Sequence, residues 1–269
     1  MSSITARPLV ETERQAALAL ALRQPLRNAL IIADLTQLAS DSVAIGAWRE
    51  GDLCGVGTCY RTLPFPAVAL LAQNEAVLNQ LLHELTVVEP VVGQEEVTLL
   101  CDGITLKQLQ RVAQVVSIAE EQCLVVPPAG LPPRISTERW HPVPITARHL
   151  QQIKALHRVV SPMAWTDDAL ELGPHRGIFV GGQLVCMAGV HFMTPWVTEI
   201  GNVVTHPDFR RRGMAEAVTR SVVEALTGRT ERIFLMVFTD NQAAIRLYTK
   251  MGFQPAGVRY LVGFRVWYS

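Results

Sequence analysis

Three consecutive arginines, Arg210, Arg211 and Arg212, stand directly before Gly213, Met214 and the small Ala215. Pro207 closes a predicted strand that ends near Thr205, and Gly213 opens a predicted helix. A helix N-terminus presents unpaired N–H groups and the positive end of the helix dipole. Guanidinium groups beside it add donors and charge, while a glycine and a small residue let a pyrophosphate come close to the backbone. The stretch differs from a GxxxxGK[ST] loop and from a GxGxxG turn, and its other reading is arginines on a solvated helix cap. Eleven residues before Arg210, Glu199 lies on a predicted core strand ahead of two apolar residues. A carboxylate there is costly to bury. It is either a general base that takes a proton from an incoming ammonium, or a strand-end glutamate facing solvent or a salt bridge.

The run Arg210-x-x-Gly213-x-Ala215 resembles the (Gln/Arg)-x-x-Gly-x-(Gly/Ala) signature of the GNAT superfamily of N-acetyltransferases. A second segment, Asn241-x-x-Ala244-Ile245-x-Leu247-Tyr248-x-Lys250-x-Gly252-Phe253, resembles the family's downstream element, with a helix and a strand between the two. The likeness covers about residues 140–269. It implies acetyl-CoA as co-substrate, with the pantetheine arm on the backbone of Val203, Val204 and Thr205, where one strand splays from the next. It places the pyrophosphate on Arg210, Arg211, Arg212, Gly213, Met214 and Ala215. It also implies Glu199 as the base and Tyr248 as the acid that protonates the departing thiolate. Ordinary phenol and thiol pKa values, about 10 and 8.5, allow that transfer without driving it. The other reading of Tyr248 is a core tyrosine beside Ile245 and Leu247. Asn241 is a helix cap, a CoA contact, or both.

The elements that must position these residues follow from periodicity. Thr146 is expected to cap a helix around 150–160. A hairpin over 177–193 turns at Gly181-Gly182, and strands follow at 198–205 and 233–239. Helices are expected over 214–226 and 242–251, and a last strand over 260–267. The first half reads in a similar order. It shows a helix over 13–23, strands on either side of Glu50-Gly51-Asp52, a strand over 66–72, a helix over 76–85 capped by Asn74, a strand over 97–101 and a helix over 106–121. Four prolines and a glycine within residues 127–133 read as a semi-rigid linker. The expected organisation is a degenerate GNAT-like domain over 1–126, a Pro-rich linker over 127–137 and an acetyltransferase domain over 138–269. The expected fold class is α+β (α/β), each domain a mixed, mostly antiparallel sheet flanked by helices. At the corresponding strand-to-helix turn the first half reads Leu71-Ala-Gln-Asn-Glu-Ala76, without arginine or glycine, and Glu75 would repel a phosphate. That half either shapes an acceptor pocket or is structural.

Composition bounds the rest. Hydrophobic residues make up 49% of the 269 and charged residues 18%, which excludes a mostly disordered chain. No run of about 18 apolar residues suggests a membrane span, and the N-terminus lacks the apolar core of a signal peptide, so a cytoplasmic protein is expected. The five cysteines are odd in number, form no CxxC and match no zinc spacing. Buried free thiols and no metal are expected. Net charge is −6 over residues 1–132 and +6 over 133–269, so the second half suits an anionic ligand, or else the halves complement each other. No basic–aromatic pattern points to nucleic acid. Two functional classes remain: an enzyme that acetylates a small-molecule or peptide amine directly, and a non-catalytic module that senses acyl-CoA. No cysteine lies in either motif, which disfavours an acyl-cysteine route. Oligomeric state is open.

Overall fold

A computed structural model describes residues 3–133 and 140–267. The chain forms two compact units, Met1–Glu121 with Val258–Ser269, and Gln122–Gly257. The elements in chain order are β1 (Ile4–Pro8), α1 (Glu11–Ala21), α2 (Ala29–Leu35), β2 (Ser42–Arg49), β3 (Asp52–Tyr60), β4 (Ala67–Ala72), α3 (Glu75–Val88), α4 (Pro90–Gln94), β5 (Val97–Cys101), α5 (Gly103–Val112) and β6 (Ala113–Val125). The second half has β7 (Val143–Pro144), α6 (Leu150–Val160), β8 (Arg176–Val180), β9 (Gln183–Met193), β10 (Thr198–Thr205), α7 (Met214–Leu226), β11 (Ile233–Phe238), α8 (Gln242–Met251) and β12 (Gln254–Val266).

Within the first unit β1 to β5 are neighbours in sequence order, antiparallel except for β4 and β5, and the C-terminal part of β12 pairs with β5 from Tyr260 to Phe264. Within the second, β7 to β11 repeat this plan, again with one parallel pair, β10 and β11. Each sheet is thus mixed and mostly antiparallel with helices against it. Helix α3 supplies Val77, Leu78, Leu81, Leu82 and Leu85 to the first core, where they pack with Ile45, Leu99 and Phe264. Their spacing puts all five on one face. Helix α7 does the same in the second unit with Met214, Val218, Val222 and Leu226, against Val185, Val190 and Leu235.

Two expectations need correction. The helix expected over 106–121 ends at Val112, and Ala113 onward is strand β6. Asp102 Oδ1 accepts from the Ile104 and Thr105 amides at 3.1 and 2.8 Å and starts the helix at Gly103. The β-branched Val115, Val116 and Ile118 then suit a pleated strand better than further turns of helix. Secondly, residues 258–269 do not stay with the second half. Strand β12 crosses from one unit to the other, and its final part completes the first unit's sheet. The proline-rich stretch up to Pro133 packs on the second unit rather than spanning free. Arg220 Nη1 donates to the Pro132 carbonyl at 2.8 Å, and the Pro132 ring lies where a Cβ on Gly252 would stand, 2.4 Å away. The rest of the expected linker, 134–137, lies outside the described residues. All five cysteines are buried free thiols. No described helix is long and apolar enough to cross a membrane, and no described cluster of His, Cys, Asp and Glu could hold a metal.

The first unit buries one carboxylate, Asp34 on α2. Its oxygens accept from the Ser42 hydroxyl at 3.2 Å and the Thr58 hydroxyl at 2.5 Å. Burial nevertheless raises its pKa to about 6 from 3.8, the two hydroxyls only opposing the rise. Between those values the folded chain keeps a proton that the unfolded chain has released. Stability from this group therefore falls as pH rises from about 4 to 6, and the cost of up to about 3 kcal/mol is complete above that range. Asp34→Asn, uncharged and of the same shape, is expected to raise the melting temperature at pH 8 and to change it little at pH 4. An equal effect at both values would show that Asp34 does not titrate in this window.

Candidate functional site

The site grows from an interruption in the second sheet. Strand β10 pairs in parallel with β11 only from Thr198 to Ile200, against Ile233 to Leu235. On its other side it stays with β9, though the register shifts after Glu199 and again between Gly201 and Val204. Asn202 sits in the second irregularity with φ of +52°, a left-handed conformation that asparagine tolerates better than most residues. A bulge bends its strand and raises the local twist. Past Ile200 the β11-facing edge of Gly201–Thr205 therefore has no partner strand. Its amides and carbonyls are offered to a ligand, as an open sheet edge offers them to an added strand. Val203, Val204 and Thr205, the residues expected to hold a pantetheine arm, lie on this edge.

Beyond Thr205, eight residues lead to α7. Residues Pro207–Phe209 form one 3-10 turn. Arg211 (φ +60°) and Gly213 (φ +79°) are both left-handed, and Gly213 is the N-cap. No side chain caps the helix, and the first amide bonded back into it is that of Ala217, to the Gly213 carbonyl at 3.2 Å. The amides of Met214, Ala215 and Glu216 thus precede the first intrahelical bond. The arginines divide their work. Arg210 Nε donates to the Thr205 carbonyl at 3.2 Å, tying the turn to the strand end. Arg212 donates to the Asp208 carbonyl at 2.8 Å and lies over the Phe209 ring at 5.1 Å. Arg210, Arg211 and Arg212 are exposed, whereas Met214 is buried in the core and contributes backbone only. Asn241 caps α8, its Oδ1 accepting from the Ala244 amide at 3.2 Å. Asn202 Nδ2 is a buried donor without a partner among the described residues. An open strand edge, an uncapped helix start, exposed arginines and an orphaned donor in one region fit an elongated ligand carrying amides and phosphates.

Glu199 lies just before the opening, 7% exposed. Of the alternative to a base, a glutamate facing solvent does not hold, while one facing an ionisable partner does. It is the second residue of β10, and its Oε1 lies 3.3 Å from His191 Nδ1 on β9. Tyr248, on α8, is buried in the core cluster at 5.6 Å from the Phe253 ring, edge to face. Burial raises its pKa above the ordinary phenol value, with the Cys186 thiol adding to the rise. The Thr219 hydroxyl opposes that rise, and Cys186 itself pairs with Thr205 across the strands, at 3.2 Å between Sγ and Oγ1.

Three functional candidates escaped sequence reasoning. His191 was invisible because its meeting with Glu199 is made by strand register. Trp140 donates its indole N–H to the Arg212 carbonyl at 2.7 Å, and that link spans 72 residues. Asn202 did carry a signal: glycine followed by asparagine inside an apolar strand marks a bulge.

Residues 176–262 match the family model described as FR47-like protein. Over 92 residues the chain is 33% identical to the N-alpha-acetyltransferase RimI of Mycobacterium tuberculosis, a match covering 32% of the chain and 57% of that relative, little more than half its length. Among solved structures, a GCN5-related N-acetyltransferase from Kribbella flavida superposes with a TM-score of 0.66 at 16% identity, covering 92% of this chain and 95% of that one. A tandem GNAT protein from the clavulanic acid biosynthesis pathway gives 0.66 at 14% identity, covering 98% of both. At such identities the structures speak to fold alone. They share it across nearly the whole chain, and the family model falls on the stretch that carries the two motifs resembling the GNAT acetyltransferases.

Proposed function

We propose that the second unit transfers an acetyl group from acetyl-CoA directly to the amine of a small-molecule or peptide acceptor. The observation that carries this reading is the parting of β10 from β11 directly after a buried carboxylate, with the gap leading to the turn over Arg210–Ala215. In this reading the edge of Val203–Thr205 takes the pantetheine amides. The amides at the start of α7, with Arg210, Arg211 and Arg212, take the pyrophosphate. Asn241 has an amide group to spare beyond its cap.

The chemistry needs two proton positions. An amine with pKa near 10 arrives as an ammonium, and Glu199 accepts its proton. The free nitrogen then attacks the thioester carbonyl, the C–S bond breaks, and the proton that the nitrogen sheds in becoming an amide goes to the departing thiolate. Tyr248, kept neutral by burial, donates a hydrogen bond to that sulfur. A phenol with a raised pKa is a weaker acid than a thiol in water, so its contribution is to stabilise negative charge on sulfur rather than to give up a proton outright.

The first unit repeats the parting of strands, since β4 pairs with β5 only at Ala67 and Val68. There the strand-to-helix connection is just Gln73 and Asn74, Asn74 caps the Val77 amide, and Glu75 is the first residue of the helix. Its counterpart of Tyr248, the seventh residue of α5, is Leu109. We read this unit as a GNAT-like domain without a phosphate site. Calorimetry should therefore find one CoA per chain, and two equivalents would refute that assignment.

Two pairs of variants test the site. Gly213→Asn and Gly213→Asp both tolerate a left-handed backbone and differ in charge. Asn should weaken CoA binding about tenfold through bulk, and Asp about tenfold further through repulsion, on the scale of one charge interaction of about 1.4 kcal/mol. Equal affinities for both variants and the parent would remove the turn from the site. Glu199→Gln and Tyr248→Phe should each lower kcat by about a hundred- to ten-thousand-fold at neutral pH. Raising the pH supplies free amine and should partly restore Glu199→Gln but not Tyr248→Phe. The assay is thiol release from acetyl-CoA across an amine panel, and no release with any amine would favour a sensing module.

A further inference from the structure

Resting on that reading, we propose that Trp140 is a positioning residue for the pyrophosphate. By holding the Arg212 carbonyl it sets which way the peptide between Arg212 and Gly213 faces, and so whether the turn shows an anion a donor or an acceptor. The indole N–H donates to that carbonyl at 2.7 Å. A peptide unit is planar and trans, so its C=O and N–H point in opposite directions. With the oxygen turned to Trp140, the Gly213 N–H is turned away from it and joins the amides of Met214, Ala215 and Glu216 as a donor to phosphate oxygens. In the reverse orientation the Arg212 oxygen would stand in its place and repel them.

The turn does not fix this peptide by itself. Rotating it changes ψ of Arg212 and φ of Gly213, and glycine accepts either sign of φ. Gly213 stands at φ +79°, and its own stereochemistry leaves both orientations open. The carbonyls of Thr205, His206, Pro207, Asp208 and Gly213 accept hydrogen bonds from groups of the turn or of α7. That of Arg212 accepts from a residue 72 positions earlier in the chain. Trp140 is a firm holder, because its ring packs against the second unit's core. The acidic residue of the helix's first turn is accounted for as well. Glu216 Oε1 accepts from Arg220 Nε at 3.2 Å, and Arg220 Nη1 is anchored on the Pro132 carbonyl. A cation thus offsets that carboxylate, and the facing of the Arg212–Gly213 peptide decides what the backbone adds.

The test removes the N–H and keeps the ring. In the full chain, Trp140→Phe is the first variant. The second carries benzothienylalanine at position 140, whose sulfur stands where the indole N–H was and whose shape is close to that of tryptophan. Calorimetry with CoA should show affinity about three- to tenfold lower with benzothienylalanine, the scale of one hydrogen bond, and at least as much lower in Trp140→Phe. In turnover with an amine that releases thiol, KM for acetyl-CoA should rise by the same factor with kcat unchanged. S-acetylpantetheine, which carries the thioester and the amides but no pyrophosphate, should be used equally well by parent and variants. A benzothienylalanine variant with the parent's CoA affinity would overturn the proposal, because ring packing alone would then explain any loss in Trp140→Phe. An equal loss with S-acetylpantetheine would also overturn it, since the defect would not lie at the phosphates. A parent protein that binds no CoA would overturn the acetyl-CoA reading itself, and this proposal with it.

Discussion

Everything functional in this molecule depends on a parallel strand pair that stops after three residues. Backbone N–H and C=O groups are obligatory hydrogen-bonding partners, and a sheet ordinarily satisfies them. By bulging at Gly201–Val204, β10 keeps its bonds to β9 and gives up those to β11. That open edge is where a ligand with amides can pair with backbone. The same bulge carries the strand end towards the arginine turn, while the residue before the first register shift, Glu199, stays in the paired region, buried and fixed.

The two units show how little of that plan suffices for a fold and how much more a site requires. Both part their central parallel strands, and both pack an apolar helix face across the sheet. What separates them is short. The second unit has eight residues between strand and helix where the first has two. Those residues hold the two left-handed positions, the arginines and the uncapped helix start. In the first unit a side-chain cap and a carboxylate occupy the equivalent place, so the helix satisfies itself and repels an anion. Its buried carboxylate, Asp34, is held by two hydroxyls.

Electrostatics in the second unit is arranged by depth. The guanidinium groups of Arg210, Arg211 and Arg212 stand in solvent. Glu199 is paired with an imidazole. The deepest ionisable rings, His157 and His175, are neutral near pH 7 because burial penalises their charged form. Tyr248 follows the same rule from the acid side and remains protonated.

Much of this was legible in the amino-acid order. Periodicity located α3, α7 and α8 because their apolar faces are continuous and their caps, Asn74 and Asn241, are strong local signals. The glycine that opens α7 was legible too, since a left-handed N-cap restricts residue type. The paired strands of each sheet followed from short apolar runs between turns. Other features required the tertiary structure. The boundary between α5 and β6 was settled by strand pairing, because Leu106–Glu121 suits either state locally. The path of β12 into the first unit's sheet has no local signature, because a strand's alternation does not name its partner. The Glu199–His191 contact exists only through the register of β9 against β10, and the choice of Gly189 and Gly201 is explained only by the rings of His175 and His191 above them. Local sequence determines the shapes a segment can take and the charges it carries. Which side chains meet is decided by long-range pairing, and for this protein that includes Glu199 and His191.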